Sequence, residues 1–192
     1  MPRILLFCTA EEAKPFVPRI LSVEKESQGL NLFFLVESRS VQAREDPRDS
    51  GMFRSELSDG EGFETDFINA SEQDCQSWAL QQMGRFNFIE QDIIAILDKR
   101  CVTDESLLIS FYARGAGIQF PGFDGLLPQE QGKWYTFRIP YRKTFTVHTA
   151  LLFTAPDVVY PTYFGRKEEL TNENGIFDVD RAQQLCLEED FD

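Results

Sequence analysis

The feature that most constrains this chain is its opening. Arg3 to Thr9 is an unbroken apolar run ending in small residues. A strand with one wet face alternates, so an uninterrupted run this short reads as a strand buried on both faces. Ala13, Phe16, Val17, Ile20 and Leu21 then recur at helical spacing, with Thr9 as the expected cap and Pro15 and Pro18 confining the regular helix to the part around or after them. Gly29 ends that helix, and Leu30 to Val36 is a second apolar run. Strand, helix, strand is a unit that normally pairs in parallel.

Further strands are expected at Leu107 to Ala113 and at Trp134 to Tyr141, where Tyr135, Phe137, Ile139 and Tyr141 share one face and Thr136 and Arg138 the other. Ser71 with Asp74 forms a capping signature ahead of Cys75, Trp78, Ala79, Gln82 and Met83 on one helical face, which Gly84 closes. Phe86 to Leu97 fits either an alternating strand or a helix capped by Asn87, and Thr144 to Phe153 also fits either period. Ala182, Leu185 and Cys186 suggest a closing helix capped by Asp180. The expected fold is α/β or α+β, a single domain at residues 1–192 with a mixed central sheet of about five strands and flanking helices. At 192 residues a sizeable core is possible without staples.

From Glu37 to Thr65 the pattern dissolves into charged and small residues, with Val41, Met52, Phe53, Leu57 and Phe63 as the only anchors. Such a stretch is expected to be a long, partly disordered loop, open to trypsin at Arg39, Arg44, Arg48 and Arg54. Its acids, among them Asp46, Asp49, Glu56, Asp59, Glu61, Glu64 and Asp66, lack calcium-loop spacing and read as solvated carboxylates.

The net charge is −13, from 32 acidic and 19 basic residues. Phosphate backbones are bound by clustered Lys and Arg, so nucleic acid is not the expected partner, nor is an anionic membrane. A protein partner with a basic surface is. No apolar run approaches the length of a membrane span, and Ile4 to Cys8 is too short for a signal core, which points to a cytoplasmic, intracellular protein.

Cys8, Cys75, Cys101 and Cys186 are far apart, without CxxC pairs or a nearby His, so buried reduced thiols are favoured over zinc or disulfides. Neither a metal nor any other cofactor is expected. Cys8 and Thr9 nevertheless end the first strand, where open α/β sheets place ligands, and a helix N-terminus there could activate a thiol. A phosphatase loop is disfavoured, because Lys14 stands where its arginine would be and Glu11 and Glu12 would repel a phosphate. His148 is the only histidine, so any His-dependent mechanism must use it. Gly115 and Gly117 open a glycine-rich loop that extends to Gly132, but lack the third glycine of a dinucleotide fingerprint.

Two functions are therefore carried forward. The leading one is a non-catalytic binding or regulatory protein that meets a partner through its acidic surface and polar loop. The alternative is a small-molecule enzyme with a pocket near Cys8, Thr9, His148 and the Gly115 to Gly132 loop.

The second half resembles a family of small, mostly bacterial domains of unknown function. The resemblance lies in Phe88-Ile89 with Asp92, Leu107 to Tyr112, Tyr135 to Pro140, Leu151 to Asp157, and Gly175-Ile176-Phe177. Ala155 stands where the family pattern has an asparagine. The resemblance implies a compact mixed sheet with flanking helices and carries no chemistry.

Overall fold

A computed structural model describes residues 2–28, 31–40, 53–58 and 60–189. Strand β1 (Arg3–Cys8) runs parallel to β2 (Phe33–Leu35) on one side and to β3 (Ile89–Leu97) on the other. Strand β4 (Ser106–Tyr112) is antiparallel to β3, and β7 (Trp134–Pro140) antiparallel to β4. The result is the mixed five-stranded sheet β2-β1-β3-β4-β7, with a separate small hairpin of β5 (Ile118–Gln119) and β6 (Leu126–Leu127).

The unbroken apolar character of β1 has a direct cause. Ile4, Leu6 and Cys8 face a core shared with α1 (Val17–Gln28), α4 (Thr144–Phe153), α5 (Pro156–Tyr160) and α6 (Val179–Glu189). Leu5 and Phe7 face a second core under α2 (Glu72–Gln82). In that core Phe67 packs edge-on against Phe7 and Trp78, at ring distances of 4.9 and 5.5 Å. The predicted capping box at Ser71 and Asp74 is present on α2.

Several local expectations resolve differently. Thr9 does not cap a helix: its hydroxyl donates to the Leu97 carbonyl, and a 3-10 turn over Glu11–Phe16 holds Pro15 before α1 begins at Val17. The ambiguous 86–97 segment is strand from Ile89, while Thr144–Phe153 is helix. The cap of α6 is Asp178, which accepts from the Arg181 N–H, and Asp180 lies inside the helix and pairs with Lys143.

Strand β3 is also irregular. Arg3 pairs with Ile89 but Leu5 pairs with Ile94, so two steps along β1 match five along β3. The extra length bulges out of the ladder and carries Glu90, Gln91 and Asp92. Bulges re-aim side chains in this way.

Within the 37–65 segment, expected as a long and partly disordered loop, the described residues dock on the sheet. Phe53 and Phe63 are buried, the Leu35 N–H donates to the Arg54 carbonyl, and the Thr65 hydroxyl donates to the Val36 carbonyl. This covers the β2 edge, as the Phe177 N–H does for β7 by donating to the Arg138 carbonyl. An open strand edge is a pairing hazard, and both are closed. Val41, Asp46, Asp49, Met52 and Asp59, with the trypsin sites Arg44 and Arg48, lie outside the described residues. Among the described residues no helix is long and apolar enough to cross a membrane.

Phe67 is fully buried immediately beyond this segment, so Phe67→Ala should cost about 3–5 kcal/mol in urea unfolding. A cost below about 1 kcal/mol, the level of a surface change, would mean that Phe67 is not part of the core.

Candidate functional site

Cys8 and Thr9 do end β1, beside the point where the chain sends α1 to one face and α2 to the other. The place is filled. Thr9 donates both its N–H and its hydroxyl to the Leu97 carbonyl, and its own carbonyl accepts the Asn69 N–H. Cys8 is fully buried with its thiol on the Ala10 carbonyl at 3.4 Å, and burial pushes that thiol up to about 11. Burial likewise pushes Cys75 and Cys101 up to about 12. A nucleophilic cysteine needs the opposite shift.

His148 lies elsewhere. It is buried on α4 with Nε2 3.3 Å from Glu90 Oε2, its ring edge on Phe153, and Nδ1 without a partner among the described residues. Burial disfavours ionisation of Glu90, but the His148 ring and the N–H groups of Gln91 and Asp92 outweigh it and hold the carboxyl below the ordinary range. Cys8 pairs with Leu97 at one end of β3, and His148 meets Glu90 at the other. Among the described residues, neither the cleft beside Gly115 nor the cavity beyond the ends of β1 and β2 is lined by Cys8, Thr9 or His148.

Gly115 and Gly117 follow β4 at the Glu90 end. Gly117 is there for space: a Cβ would sit 2.3 Å from the Pro128 carbonyl oxygen, where the β5–β6 hairpin closes. Gly115 has open room around it and lines a cleft with Leu151, Leu152 and Phe153.

The most charged cavity lies beyond the carboxyl ends of β1 and β2 and has a volume of about 830 Å³. One wall is the turn after β1, with Glu11 and Lys14; the other is the docked segment, with Arg54, Glu61, Phe63 and Glu64; Glu37 closes the end of β2. Lys14 Nζ sits 3.0 Å from Glu11 and 3.1 Å from Glu64, above the Phe63 ring. Arg54 bridges Glu37 at 2.5 Å and Glu61 at 2.7 Å. Hydrogen bonds to Glu11 and Glu37 respectively raise the pKa of Lys14 and Arg54, so both cations are held charged and neutralised. Four carboxylates against two cations leave a charge of −2. Sequence reasoning had treated these glutamates as solvated or merely repulsive, because nothing in their spacing shows that residues about 50 apart converge.

Among the described residues no group of three or more His, Cys, Asp or Glu is placed to hold a metal ion. The fold and this cavity define the chain as an α+β domain with a mixed sheet and an acidic cleft at the strand ends. No family model matches the chain, and neither the curated proteins nor the solved structures compared with it provide a match.

Two outcomes follow from these side chains. Maleimide labelling of the native protein, read by mass spectrometry, should reach the half-buried Cys186 first and spare Cys8, Cys75 and Cys101 until unfolding. Rapid native labelling of Cys8 would contradict the assignment. Because the folded-state pKa of Glu90 lies below its unfolded value, its ionisation stabilises the fold above the ordinary glutamate range, and that contribution is lost as pH falls through the lowered value. The stability gap between the native protein and Glu90→Gln should therefore narrow below about pH 4. A pH-independent gap would contradict the pairing with His148.

Proposed function

We propose that the protein is a non-catalytic binding protein whose acidic cleft receives a basic segment of a protein partner. The observation that carries this reading is the cleft's charge arrangement: four carboxylates face two cations that are already neutralised. An anionic ligand would meet excess negative charge there, whereas an incoming Lys or Arg would find acceptors.

Exchange at the cleft is inexpensive. The Glu64 side chain is 95% exposed, so its ion pair with Lys14 is weakly held. A partner's guanidinium can replace Lys14 on Glu64 without unfolding anything, and can add a bidentate geometry that Lys14 lacks. The net charge of −13 supports the same partner at long range by steering basic surfaces inward.

Anisotropy of a labelled Lys/Arg-rich peptide tests the reading. Glu64→Gln should weaken binding several-fold and Lys14→Gln, which removes the competing cation, should strengthen it. Affinity should also fall steeply between about 50 and 500 mM salt, since screening shortens the reach of these charges. Binding that ignores both substitutions, or that persists unchanged in high salt, would contradict the proposal.

A further inference from the structure

A second cleft opens at the other end of the sheet, between the bulge of β3, the end of β4 and the turn joining α4 to α5. Its volume is about 510 Å³, within the range of small-molecule sites. Aromatic and proline side chains contribute to its walls: Tyr112 from β4, Pro128 beyond β6, Phe153 at the end of α4 and Tyr160 at the end of α5. Phe153 stands 63% exposed at its edge, an exposed large apolar side chain at the end of α4.

The charges in this cleft cancel internally. Arg114 Nε donates to Asp92, its Nη2 donates to the Gln91 carbonyl at 2.6 Å, and its guanidinium lies over the Tyr112 ring at 5.4 Å. One carboxylate and one guanidinium thus occupy each other. An anion entering would meet Asp92, and a cation would meet Arg114. Burial pushes the Asp92 carboxyl up despite Arg114. The Tyr160 hydroxyl is different: its ring packs on Phe164, but the hydroxyl makes no hydrogen bond among the described residues. It is a half-buried polar group facing a wall of mixed polar and apolar character.

We propose that this cleft is a binding site for a small, uncharged, planar aromatic molecule whose polar edge hydrogen-bonds to the Tyr160 hydroxyl. The walls supply faces for stacking, the Asp92–Arg114 pair leaves the cleft without a net charge to attract an ion, and Tyr160 orients the ligand. This site is independent of the acidic cleft, and its success or failure leaves the partner reading untouched.

The test uses two fluorescent probes that share one ring system, uncharged N-phenyl-1-naphthylamine and its sulfonated, anionic counterpart 8-anilinonaphthalene-1-sulfonate. The uncharged probe should bind one-to-one and at least about tenfold more tightly than the anionic one. Gly115→Trp, which fills open space in the cleft, should abolish binding. Tyr160→Phe and Phe153→Ala should each weaken it several-fold, and Phe153 is exposed enough for its removal to leave the fold intact. These two variants decide the matter if Gly115→Trp fails to fold by circular dichroism. Leu187→Glu, in the separate groove between α4 and α6, should leave binding unchanged. No binding of the uncharged probe, equal binding of both probes, retention in folded cleft variants, or loss in Leu187→Glu would each overturn the proposal.

Discussion

Burial of β1 on both faces is the constraint on which the rest depends. A strand with no wet side needs helices above and below it, and each face here has its own apolar cluster. The chain meets that demand by sending α1 to one face of the sheet and α2 to the other, with the two paired strands β2 and β3 flanking β1. The divergence leaves the carboxyl ends of β1 and β2 as the natural place for an opening. In this protein the opening has shifted sideways. Thr9 and Leu97 seal the gap between β1 and β3, and the open space lies on the β2 side, where the 53–64 segment forms the far wall.

The second feature of consequence is the bulge in β3. A regular strand pairing with β1 would have no place for carboxylates between two cores. The extra residues swing Glu90 against His148 and Asp92 against Arg114. Each acid thus meets a nitrogen partner, and the two respond in opposite directions: Glu90 is held below its ordinary range and Asp92 above it. The same short segment fixes the helix α4 through a buried pair and shapes the wall of the aromatic cleft.

Much of the architecture was legible from residue pattern. The β1 run, the alternation of Tyr135, Phe137 and Ile139 against Thr136 and Arg138, and the Ser71–Asp74 capping box all carried local signals strong enough to survive folding. The 86–97 segment was ambiguous because a bulge breaks the period of two that identifies a strand. Asp180 was mistaken for the cap of α6 because it and Asp178 flank Val179 and either side chain could serve. The clefts were the least legible parts. Lys14 meets Glu64, and Asp92 meets Arg114, only through tertiary folding. Of the two glycines, Gly117 serves the backbone against Pro128, whereas Gly115 lines the aromatic cleft.

The central claim is that a basic partner occupies the cleft between the turn after β1 and the docked segment. Amide chemical-shift mapping during titration with a Lys/Arg-rich peptide tests it most directly. The account predicts saturable shifts concentrated at Glu11, Lys14, Glu37, Arg54 and Gly60 to Glu64, with the Gly115 and Trp134 signals unmoved. Shifts centred on any other surface, or none at all at low salt, would contradict it.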